Sequence, residues 1–519
     1  MSEAAKPSHN DSWDRPAGST HLVRPDDEHN RRLEARVHPA AWRNPEPADR
    51  YHLVVLGAGT AGLVTAAAAA GLGARVALVE RHLMGGDCLN VGCVPSKALL
   101  RAARAAAEVR RSREFGIAAG EAAVDFPAVM ERLRRIRADL SRHDSVRRFQ
   151  ELGVDVFLGE GRFVAPDVLE VAGKRLRFHR AVIATGARAA VPPIPGLAEA
   201  GFLTNETVFE LTEQPRRLAV IGGGPIGCEL AQAFARLGTA VFLFEAGARI
   251  LSRDDSEAAE VVAAALRRDG LALHAGARIE KVERRGRVRR LFVAGAEDPQ
   301  EVDAVLVGAG RLPNVEGLGL EAAGVDFDTR AGIRVDARLR TSNPRIFAAG
   351  DVCSQYRFTH AADAMARIVV QNALFFGRRK VTELVIPHCT YTDPELAQVG
   401  LTASEAEAAG YEPETLKLPF SEVDRAVLES ETDGFVKVVL PRGSDRILGV
   451  TIVGPHAGDL LGEWILALSR GVRLSRLSGL VHPYPTLGEA ARKLGDLQRR
   501  KKLTPWAKRL FHAWFRWWG

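Results

Sequence analysis

The stretch Tyr51–Gly62, YHLVVLGAGTAG, decides the fold of this 519-residue chain. An apolar run ends in a Gly-x-Gly-x-x-Gly pattern, and small residues follow, which is typical of a strand, a tight turn and a helix. The next apolar run, ARVALVE, ends at Glu80, 23 positions after Gly57. The spacing predicts a βαβ unit that holds a pyrophosphate at the helix N-terminus and ribose hydroxyls at the acid.

A second copy of this plan begins at RLAVIGGGPIGCE. The acid at its second strand end is Glu245, again 23 positions after the first glycine, Gly222. One such motif is weak evidence, because glycine turns also occur for packing reasons alone. Two motifs with equal spacing favour two nucleotide sites over that explanation. The candidate binding residues are Gly57, Gly59, Gly62 and Glu80 in the first site, and Gly222, Gly224, Gly227 and Glu245 in the second.

The composition, 46% hydrophobic and 26% charged, is that of a globular protein. The net charge of +7 comes from the C-terminus, since Arg492–Gly519 holds nine Lys or Arg residues against one Asp. The remainder is near neutral, so we expect no nucleic-acid partner. The first twenty residues lack the apolar core of a secretory signal, and no run of about 18 or more strongly apolar residues spans a membrane. We therefore expect a cytoplasmic protein.

A close cysteine pair is the main candidate for chemistry. Cys88 and Cys93 lie in GGDCLNVGCVPSK, directly after the first βαβ unit and at the start of a predicted helix. A thiolate near a helix N-terminus is stabilised by free amides, so Cys93 should have a lowered pKa and Cys88 should be the more exposed partner. Two buried thiols or half of a zinc site are the alternatives, but no second ligand pair accompanies them. We favour a redox pair and expect no structural metal.

These motifs together resemble the class I pyridine-nucleotide disulfide oxidoreductases, the family of dihydrolipoamide dehydrogenase, glutathione reductase and mercuric reductase. The resemblance runs from about Tyr51 to Leu494. Its further motifs are IATGARAAVPPIPG, GAGRLPN, IFAAGDV and YTDPELAQVGLT. It implies FAD, NADH or NADPH, a homodimer, and an α/β fold with two Rossmann-like nucleotide domains and a C-terminal α+β dimerisation domain.

The chain divides into segments. Residues 1–50 are polar and lack periodicity, so we expect a mobile N-terminal arm there. The resemblance implies FAD-binding parts at 51–190 and 315–385, the NAD(P) domain at 191–314 and the dimerisation domain at 386–494. A basic aromatic tail follows at 495–519. The long segment 126–152 reads as an exposed amphipathic helix, because apolar residues recur at helical spacing among arginines.

Several site residues carry over from the family by position. Cys93 matches the thiol that faces the flavin, Cys88 matches the thiol that reacts with substrate, and Lys97 with Glu229 resembles the ion pair beside the flavin N5. The remaining candidates are assigned to the FAD or nucleotide sites: Gly186, Gly310, Asp351, His360 and Ala361. Glu245 favours NADH because it would repel a 2′-phosphate, whereas Arg249 leaves NADPH open.

The segment His482-Pro-Tyr-Pro-Thr-Leu-Gly-Glu489 departs from the family. Disulfide reductases carry a His, oriented by a Glu, that protonates the departing thiol, and here Tyr484 takes its place ahead of Glu489. A phenol with a pKa of about 10 is a poor proton shuttle at neutral pH. His482 could replace it only through a two-residue slip, so we interpret it as structural.

Mercuric reductases carry a Tyr in the same segment, and a soft metal ion bound by two thiolates needs electrons more than a proton donor. The first hypothesis is therefore a mercuric reductase-like enzyme that relays electrons from NADH or NADPH through FAD and a Cys88–Cys93 redox disulfide to a soft metal ion or another thiol-reactive acceptor. Mercuric reductases also use a C-terminal cysteine pair for delivery, and this chain has no cysteine beyond Cys389. A dihydrolipoamide dehydrogenase, a membrane-associated quinone reductase and a redox sensor remain alternatives.

The C-terminal tail carries a further signal. Thr504 and Pro505 predict a helix start, and four of the seven tryptophans lie in the last fourteen residues, opposite a basic side. Such a helix suits a membrane surface, and docking on the enzyme's own dimer surface is the alternative.

Overall fold

A computed structural model describes residues 22–120, 122–501 and 503–519. The described chain divides into two compact units. The first unit runs to Ala246 and resumes over Gly276–Leu384, and the second combines Gly247–Ala275 with Val385–Gly519. The segment 247–275 thus groups with the C-terminal unit, although the sequence predicted it within a nucleotide domain at 191–314.

The regular elements up to Ala246 alternate between strands and helices. In chain order they are α1 (Glu28–Val37), β1 (Tyr51–Leu56), α2 (Thr60–Gly71), β2 (Val76–Glu80), α3 (Gly86–Asn90), α4 (Cys93–Arg111), α5 (Phe126–Leu140), α6 (Val146–Glu151), β3 (Val154–Leu158), β4 (Gly161–Ala165), β5 (Val168–Val171), β6 (Lys174–Ile183), β7 (Ala187–Ala189), α7 (Leu197–Ala200), β8 (Arg217–Ile221), α8 (Pro225–Arg236) and β9 (Ala240–Glu245).

The chain continues with α9 (Ser256–Arg268), β10 (Ala272–Ala275), β11 (Ile279–Arg285), β12 (Val288–Val293), β13 (Gln300–Val302), β14 (Ala304–Val307), β15 (Arg311–Pro313), β16 (Phe327–Asp328), β17 (Gly332–Ile333), β18 (Ile346–Ala348) and α10 (Thr359–Leu374). The C-terminal elements are β19 (His388–Thr390), β20 (Glu395–Gly400), α11 (Ala403–Ala408), β21 (Pro413–Pro419), α12 (Asp424–Leu428), β22 (Phe435–Pro441), β23 (Gly449–Gly454), α13 (Ala457–Ser469), α14 (Leu474–Leu477), α15 (Glu489–Arg500) and α16 (Pro505–Trp518).

The first unit contains two parallel sheets, one for each glycine motif. In the first, β3, β2, β1, β6 and β18 lie side by side in that order, all parallel. In the second, β8 lies between β9 and β14, again parallel. Strands β1 and β8 are apolar on both faces because helices and antiparallel strands cover them, as is typical of α/β sheets. The predicted α/β fold is confirmed.

The second unit is built on an antiparallel sheet in the order β19-β20-β23-β22-β21. Its apolar core includes Phe420, Val438, Ile452 and Trp464, and it also takes in Leu494 of α15. Helix α16 follows α15, but none of its residues is buried.

The N-terminal segment is more ordered than its composition indicated. The part of the predicted arm at residues 22–50 contains α1, which Asp27 caps by accepting a hydrogen bond from the Asn30 amide. Leu33 and Val37 are fully buried, so their burial offsets the entropy cost of ordering this polar segment. The prediction of a mobile arm is wrong for these residues. Residues 1–21 lie outside the described part of the chain.

The segment 126–152 is also not one exposed helix. It forms α5, a short 3-10 turn at Ser141–Asp144, and α6. Met130 and Leu133 are buried, and so are Arg134 and Arg137. Arg134 pairs with Asp27, and Arg137 donates hydrogen bonds to Asn30 Oδ1 and to the Asn90 carbonyl. Within the described residues, no helix is long and apolar enough to cross a membrane.

Candidate redox and nucleotide sites

The first glycine turn packs its backbone too closely for side chains. Gly57 has a φ of +102°, and a Cβ placed on it would collide with the Ala184 carbonyl, while one on Gly62 would collide with the carbonyl of Gly57. Gly59 is different, because the nearest described atom to its Cβ would be Gly86 Cα at 3.7 Å. Gly59 is also the N-cap of α2, so its lack of a side chain lets a ligand approach the first amides of the helix.

The second glycine turn repeats this division. Gly222 has a φ of +109° and its Cβ would lie 2.7 Å from the Gly308 carbonyl oxygen, while a Cβ on Gly227 would collide with the carbonyl of Gly222. A Cβ on Gly224 would meet no described atom within 4 Å. Gly224 caps α8 as Gly59 caps α2. The outer glycines of both motifs thus serve the fold, and the middle one leaves space for a phosphate.

The two predicted acids lie beside their turns. Glu80 Oε2 accepts a hydrogen bond from the Ala58 amide at 2.6 Å, and Glu245 Oε2 accepts one from the Gly223 amide at 2.7 Å. Burial raises the pKa of Glu80, although hydrogen bonds from the Ala58 and His82 amides act in the opposite direction. Each carboxylate is therefore fixed at the strand end where a ribose would lie.

The cysteine loop is attached directly to the first glycine turn. The Gly85 amide donates to the Ala58 carbonyl at 2.8 Å, and a Cβ on Gly86 would lie 2.6 Å from Gly59 Cα. Gly85 and Gly86 have φ values of +95° and +57°, which glycine adopts without strain. Cys88 then lies within α3, and Cys93 is the first residue of α4. The pair is held where a nucleotide bound at Gly59 would pass.

The two thiols have opposite electrostatic properties. Both cysteines are free, and a hydrogen bond between them is the largest cause of both pKa shifts: it lowers the pKa of Cys93 to about 6 and raises that of Cys88. Thr359 Oγ1 lies 3.4 Å from Cys93 Sγ, and this hydrogen bond and the charge of Lys97 also lower the Cys93 pKa. The opposite directions of the two shifts favour a thiolate at Cys93 and a thiol at Cys88.

The two cysteines have different local surroundings. Cys88 lies inside the one-turn helix α3, which packs against both α4 and α5. Cys93 lies at the N-terminal end of α4. In the protein chain alone Cys93 is exposed and Cys88 is half-buried. A flavin bound beside Cys93 would cover it, so the greater accessibility of Cys88 in the FAD-loaded enzyme stays a prediction.

An ion pair supports the cysteine helix. Lys97 Nζ donates to Glu229 Oε2 at 2.7 Å, which joins α4 to α8 across 132 positions of sequence. The Glu229 side chain is 7% exposed and that of Lys97 is 36% exposed. The resemblance predicted this pair, and the structure brings the two residues together one turn after Cys93.

The remaining flavin candidates gather at one sheet edge. Since β1, β6 and β18 are parallel neighbours, their carboxyl ends place Gly57, Gly186 and Asp351 together. Burial raises the pKa of Asp351, and Arg311 Nε lies 3.6 Å from its Oδ2. Gly310, the residue before Arg311, accepts a hydrogen bond from the Ala190 amide at 2.9 Å.

Helix α10 brings its N-terminus to the same place. His360 and Ala361 occupy its first turn, where backbone amides lack helical partners, and Thr359 contacts Cys93. The ring of His360 stacks on that of Phe358 at 5.4 Å between centroids. These amides are positioned to meet a polar ring edge next to the thiols.

The edge fits a flavin dinucleotide on its own geometry. The uncapped N-terminus of α2, with an open approach at Gly59, suits a pyrophosphate, and Glu80 suits a ribose. The α10 amides and Cys93 lie together farther along, where an isoalloxazine ring would follow. The residues present therefore fit FAD.

The predicted proton-transfer residues lie in the second unit. Tyr484 is 69% exposed, and its hydroxyl donates to Asp424 Oδ2 at 2.9 Å, which raises the pKa of the phenol. Glu489 is buried and pairs with Arg492. His482 Nε2 lies 3.1 Å from Glu463 Oε2, in agreement with a structural role. Among the described residues the Tyr484 hydroxyl is bonded to Asp424 and Glu489 to Arg492, and no hydrogen bond joins Tyr484 to Glu489, although the resemblance implied that Glu489 orients the phenol.

Comparison with known proteins decides the family. The model of the pyridine nucleotide-disulphide oxidoreductase family matches residues 51–366, and the model of its dimerisation domain matches residues 386–494. The chain belongs to this family of flavoprotein disulfide oxidoreductases. The family binds FAD and a pyridine nucleotide, and the dimerisation domain supports a homodimer.

The relatives of this chain within the family include enzymes with different activities. A Staphylococcus aureus mercuric reductase is 37% identical over 441 residues, 85% of this chain and 81% of that protein. A Thermus scotoductus dihydrolipoyl dehydrogenase is 36% identical over 471 residues, 87% of this chain and 98% of that protein. The solved Cu(II) complex of the Escherichia coli HOCl-induced flavoprotein disulfide reductase RclA superposes with a TM-score of 0.77 at 28% identity, over 85% of this chain and 98% of that chain.

Some site residues escaped the sequence analysis. Thr359 contacts Cys93, Asp424 holds Tyr484, and Arg311 pairs with Asp87, the residue before Cys88. Thr359 precedes His360 and Arg311 follows Gly310, so their positions beside recognised motifs were a usable signal. Asp424 gave none, because it lies 60 positions from Tyr484 and outside every motif.

Proposed function

We propose that this flavoprotein transfers electrons from NADH or NADPH to a soft metal ion, or to another thiol-reactive acceptor, at Cys88 and Cys93. The observation that carries the proposal is the contrast between the two units. The lowered pKa of Cys93 favours a thiolate in the cysteine pair, while the position of the proton donor for disulfide substrates holds Tyr484, whose hydroxyl is bonded to Asp424 and whose pKa is raised.

The nucleotide-binding roles follow from the two glycine turns. Gly57, Gly59, Gly62, Glu80, Gly186, Asp351, His360 and Ala361 would hold FAD, and Gly222, Gly224, Gly227, Glu245 and Gly310 would hold the nicotinamide nucleotide. FAD, when bound, supplies the two-electron chemistry that links a reduced nicotinamide to the cysteines.

NADH is the favoured donor. The Glu245 carboxylate is fixed at the strand end by the Gly223 amide, where its charge would repel a 2′-phosphate. Arg249 is the residue that could have bound the 2′-phosphate of NADPH. Its guanidinium donates hydrogen bonds to the carbonyls of Leu251, Ser252 and Asp254 at 2.7–2.9 Å. A guanidinium engaged in this way is less able to accept a phosphate, which supports NADH.

The cysteines would bind the acceptor. The Cys93 thiolate supplies the first sulfur ligand to a soft divalent ion, and Cys88 supplies the second after it releases its proton to solvent. A bound Hg(II) ion would accept two electrons and leave as the metal atom, both sulfurs would remain at the oxidation state of thiolates, and Cys88 would take up a proton from solvent again. One reduced nicotinamide is oxidised for each ion, with release of a proton. No protonation of a departing thiol occurs.

The Lys97–Glu229 ion pair would stabilise negative charge at the cysteine site. The Lys97 charge stabilises the Cys93 thiolate, and Glu229 keeps the ammonium in place. A fixed positive charge at this point also favours negative charge on a neighbouring reduced ring. We assign Lys97 a role in electrostatic stabilisation and Glu229 a positioning role.

The relatives support the choice of acceptor without deciding it. Mercuric reductases are among the relatives, and the RclA structure is a Cu(II) complex, so both involve thiophilic metal ions. Dihydrolipoyl dehydrogenase is the alternative given by other relatives, and the Tyr484 position argues against it. A membrane quinone is a second candidate acceptor, because α16 exposes an aromatic face suited to a membrane surface.

The test is NADH and NADPH oxidation by the FAD-loaded enzyme against Hg(II), Cu(II), lipoamide, glutathione disulfide and a soluble quinone. We expect the metal ions to be reduced fastest, and the Cys88→Ala and Cys93→Ala variants to lose that activity. Fast lipoamide reduction would refute the interpretation of Tyr484. Full metal-ion reduction by Cys88→Ala would refute the use of the pair.

A further inference from the structure

The surface of α16 is strongly divided. Its large apolar side chains are 48–78% exposed, and on a helix with 100° between residues they fall on one broad side: Trp506, Leu510, Phe511, Trp514, Phe515, Trp517 and Trp518. The charged and titratable residues of the other side are Lys508, Arg509, His512 and Arg516. Thr504 fixes the start of the helix, since its hydroxyl accepts a hydrogen bond from the Ala507 amide at 3.2 Å.

The charge of this region has one sign. From Arg499 to the C-terminus the sequence holds seven Lys or Arg residues and no Asp or Glu. An aromatic face of this size is larger than the isolated apolar residues that soluble proteins expose. An aromatic face next to a basic face complements an anionic lipid bilayer, which has an apolar interior and negatively charged headgroups.

The length of α16 defines how it would lie. Fourteen residues make a helix about 21 Å long, whereas a spanning helix needs about 20 residues. The helix therefore suits the plane of the interface. Tryptophan suits that depth because its ring is largely apolar and its indole N–H is polar, and Trp514 and Trp517 already contact each other with centroids 5.5 Å apart.

We propose that α16 docks this enzyme on anionic lipid membranes, with the aromatic face in the acyl boundary and the basic face towards the headgroups. The dimerisation-domain match ends at residue 494, so α16 is an addition to that domain and not part of it. A homodimer would carry two such helices, and simultaneous docking of both strengthens binding by about a hundredfold or more over one helix. The proposal is independent of which acceptor the cysteines reduce.

Flotation of the FAD-loaded enzyme with vesicles tests the proposal. The vesicles are phosphatidylcholine with or without phosphatidylglycerol. We expect the full chain to float with the anionic vesicles, with a blue shift of tryptophan fluorescence, and to stay in solution with the neutral ones. A chain that ends at Leu503 should stay in solution with both.

Two substitution sets separate the contributions. Trp514→Ala/Trp517→Ala/Trp518→Ala removes the aromatic anchors, and Lys508→Gln/Arg509→Gln/Arg516→Gln lowers the partition coefficient about a hundredfold by removing three charges. The matched control, Phe115→Ala/Phe376→Ala, removes exposed aromatic rings elsewhere and should float as the full chain does. Reduction of a soluble acceptor should be equal in all variants, which shows that each has folded and separates this test from that of the cysteine chemistry.

The proposal fails if the full and shortened chains are recovered equally in the soluble fraction. It also fails if neutral and anionic vesicles bind equally, because the basic face would then have no role. If sedimentation shows that removal of α16 lowers the oligomeric state while vesicle binding is absent in both chains, a second copy of the protein is the occupant of this face and the membrane is not.

Discussion

The Tyr484 hydroxyl donates a hydrogen bond to Asp424 Oδ2 at 2.9 Å, and this carboxylate raises the pKa of the phenol. A phenol already has a pKa of about 10, so the hydrogen bond moves it further from neutrality. The residue at the position of the family's proton donor is thus held in its protonated form at physiological pH.

The substitution Tyr484→His should introduce disulfide reduction. An imidazole titrates near neutral pH, and a positioned general acid contributes about a hundredfold or more to rate. We expect kcat/KM for lipoamide to rise at least about tenfold, while Hg(II) reduction changes little. Tyr484→Phe is the control and should leave both rates nearly unchanged. A large loss of Hg(II) reduction in Tyr484→Phe would show that the phenol acts on the metal ion.

The reactivity of Cys93 should follow its low pKa. Because its pKa is lowered, the thiolate is present above about pH 6 and is lost as the pH falls through that value. The rate of iodoacetamide alkylation of the reduced enzyme should therefore rise through about pH 6 and level off near neutrality.

The Cys88 thiol should be the main cause of that low value. Cys88→Ala removes the hydrogen-bond donor, so the alkylation midpoint should move up towards the ordinary thiol pKa of about 8.5. Cys88→Ser retains a donor and should give an intermediate midpoint. An unchanged midpoint in Cys88→Ala would mean that Lys97, Thr359 and the α4 N-terminus are sufficient.

Removing the Lys97 ammonium should destabilise the fold as well as the site. Lys97→Met takes the ion-pair partner from a carboxylate that is 7% exposed, at an expected cost of about 1–3 kcal/mol in the free energy of unfolding. Glu229→Leu added to Lys97→Met should recover part of that loss, because the buried charge is then absent. Urea unfolding of both single variants and the double variant measures the coupling. Additive costs would contradict a direct interaction.

Substitution of the middle glycine of the second turn should weaken nucleotide binding without lowering the stability of the fold. A Cβ at Gly224 meets no described atom within 4 Å, so Gly224→Ala should unfold like the parent protein but raise KM for NADH. Gly227→Ala places its Cβ against the Gly222 carbonyl and should lower stability. Gly71→Ala, on an open part of α2, is the matched control for both measurements. An unchanged KM in Gly224→Ala would argue against pyrophosphate binding there.

Regular spacing made the parallel sheets and the two glycine turns predictable from sequence. The 23-residue interval from Gly57 to Glu80 reflects the glycine turn, one helix and the return strand, so local pattern was enough. The Lys97–Glu229 pair spans 132 positions and came from resemblance, not from pattern. The packing of α3, the helix that holds Cys88, against α5 was not predicted, because no local signal encodes this contact.

The N-terminal segment was missed for a related reason. Its composition is polar, and polarity alone favours disorder. The partners that order it, Arg134 and Arg137, lie more than 100 positions away and resemble solvent-facing arginines in the sequence.

Arg137 has a consequence for how this enzyme is produced and shortened. Its guanidinium is almost fully buried and donates to Asn30 Oδ1 at 2.6 Å and to the Asn90 carbonyl at 2.8 Å, between the two redox cysteines in sequence. An expression clone trimmed to the start of the family match at residue 51 would delete Asn30. The Arg137 guanidinium would then lose one of its hydrogen-bond acceptors while it stays buried beside the cysteine loop. The shortest enzyme with an intact redox centre begins well ahead of its first Rossmann strand.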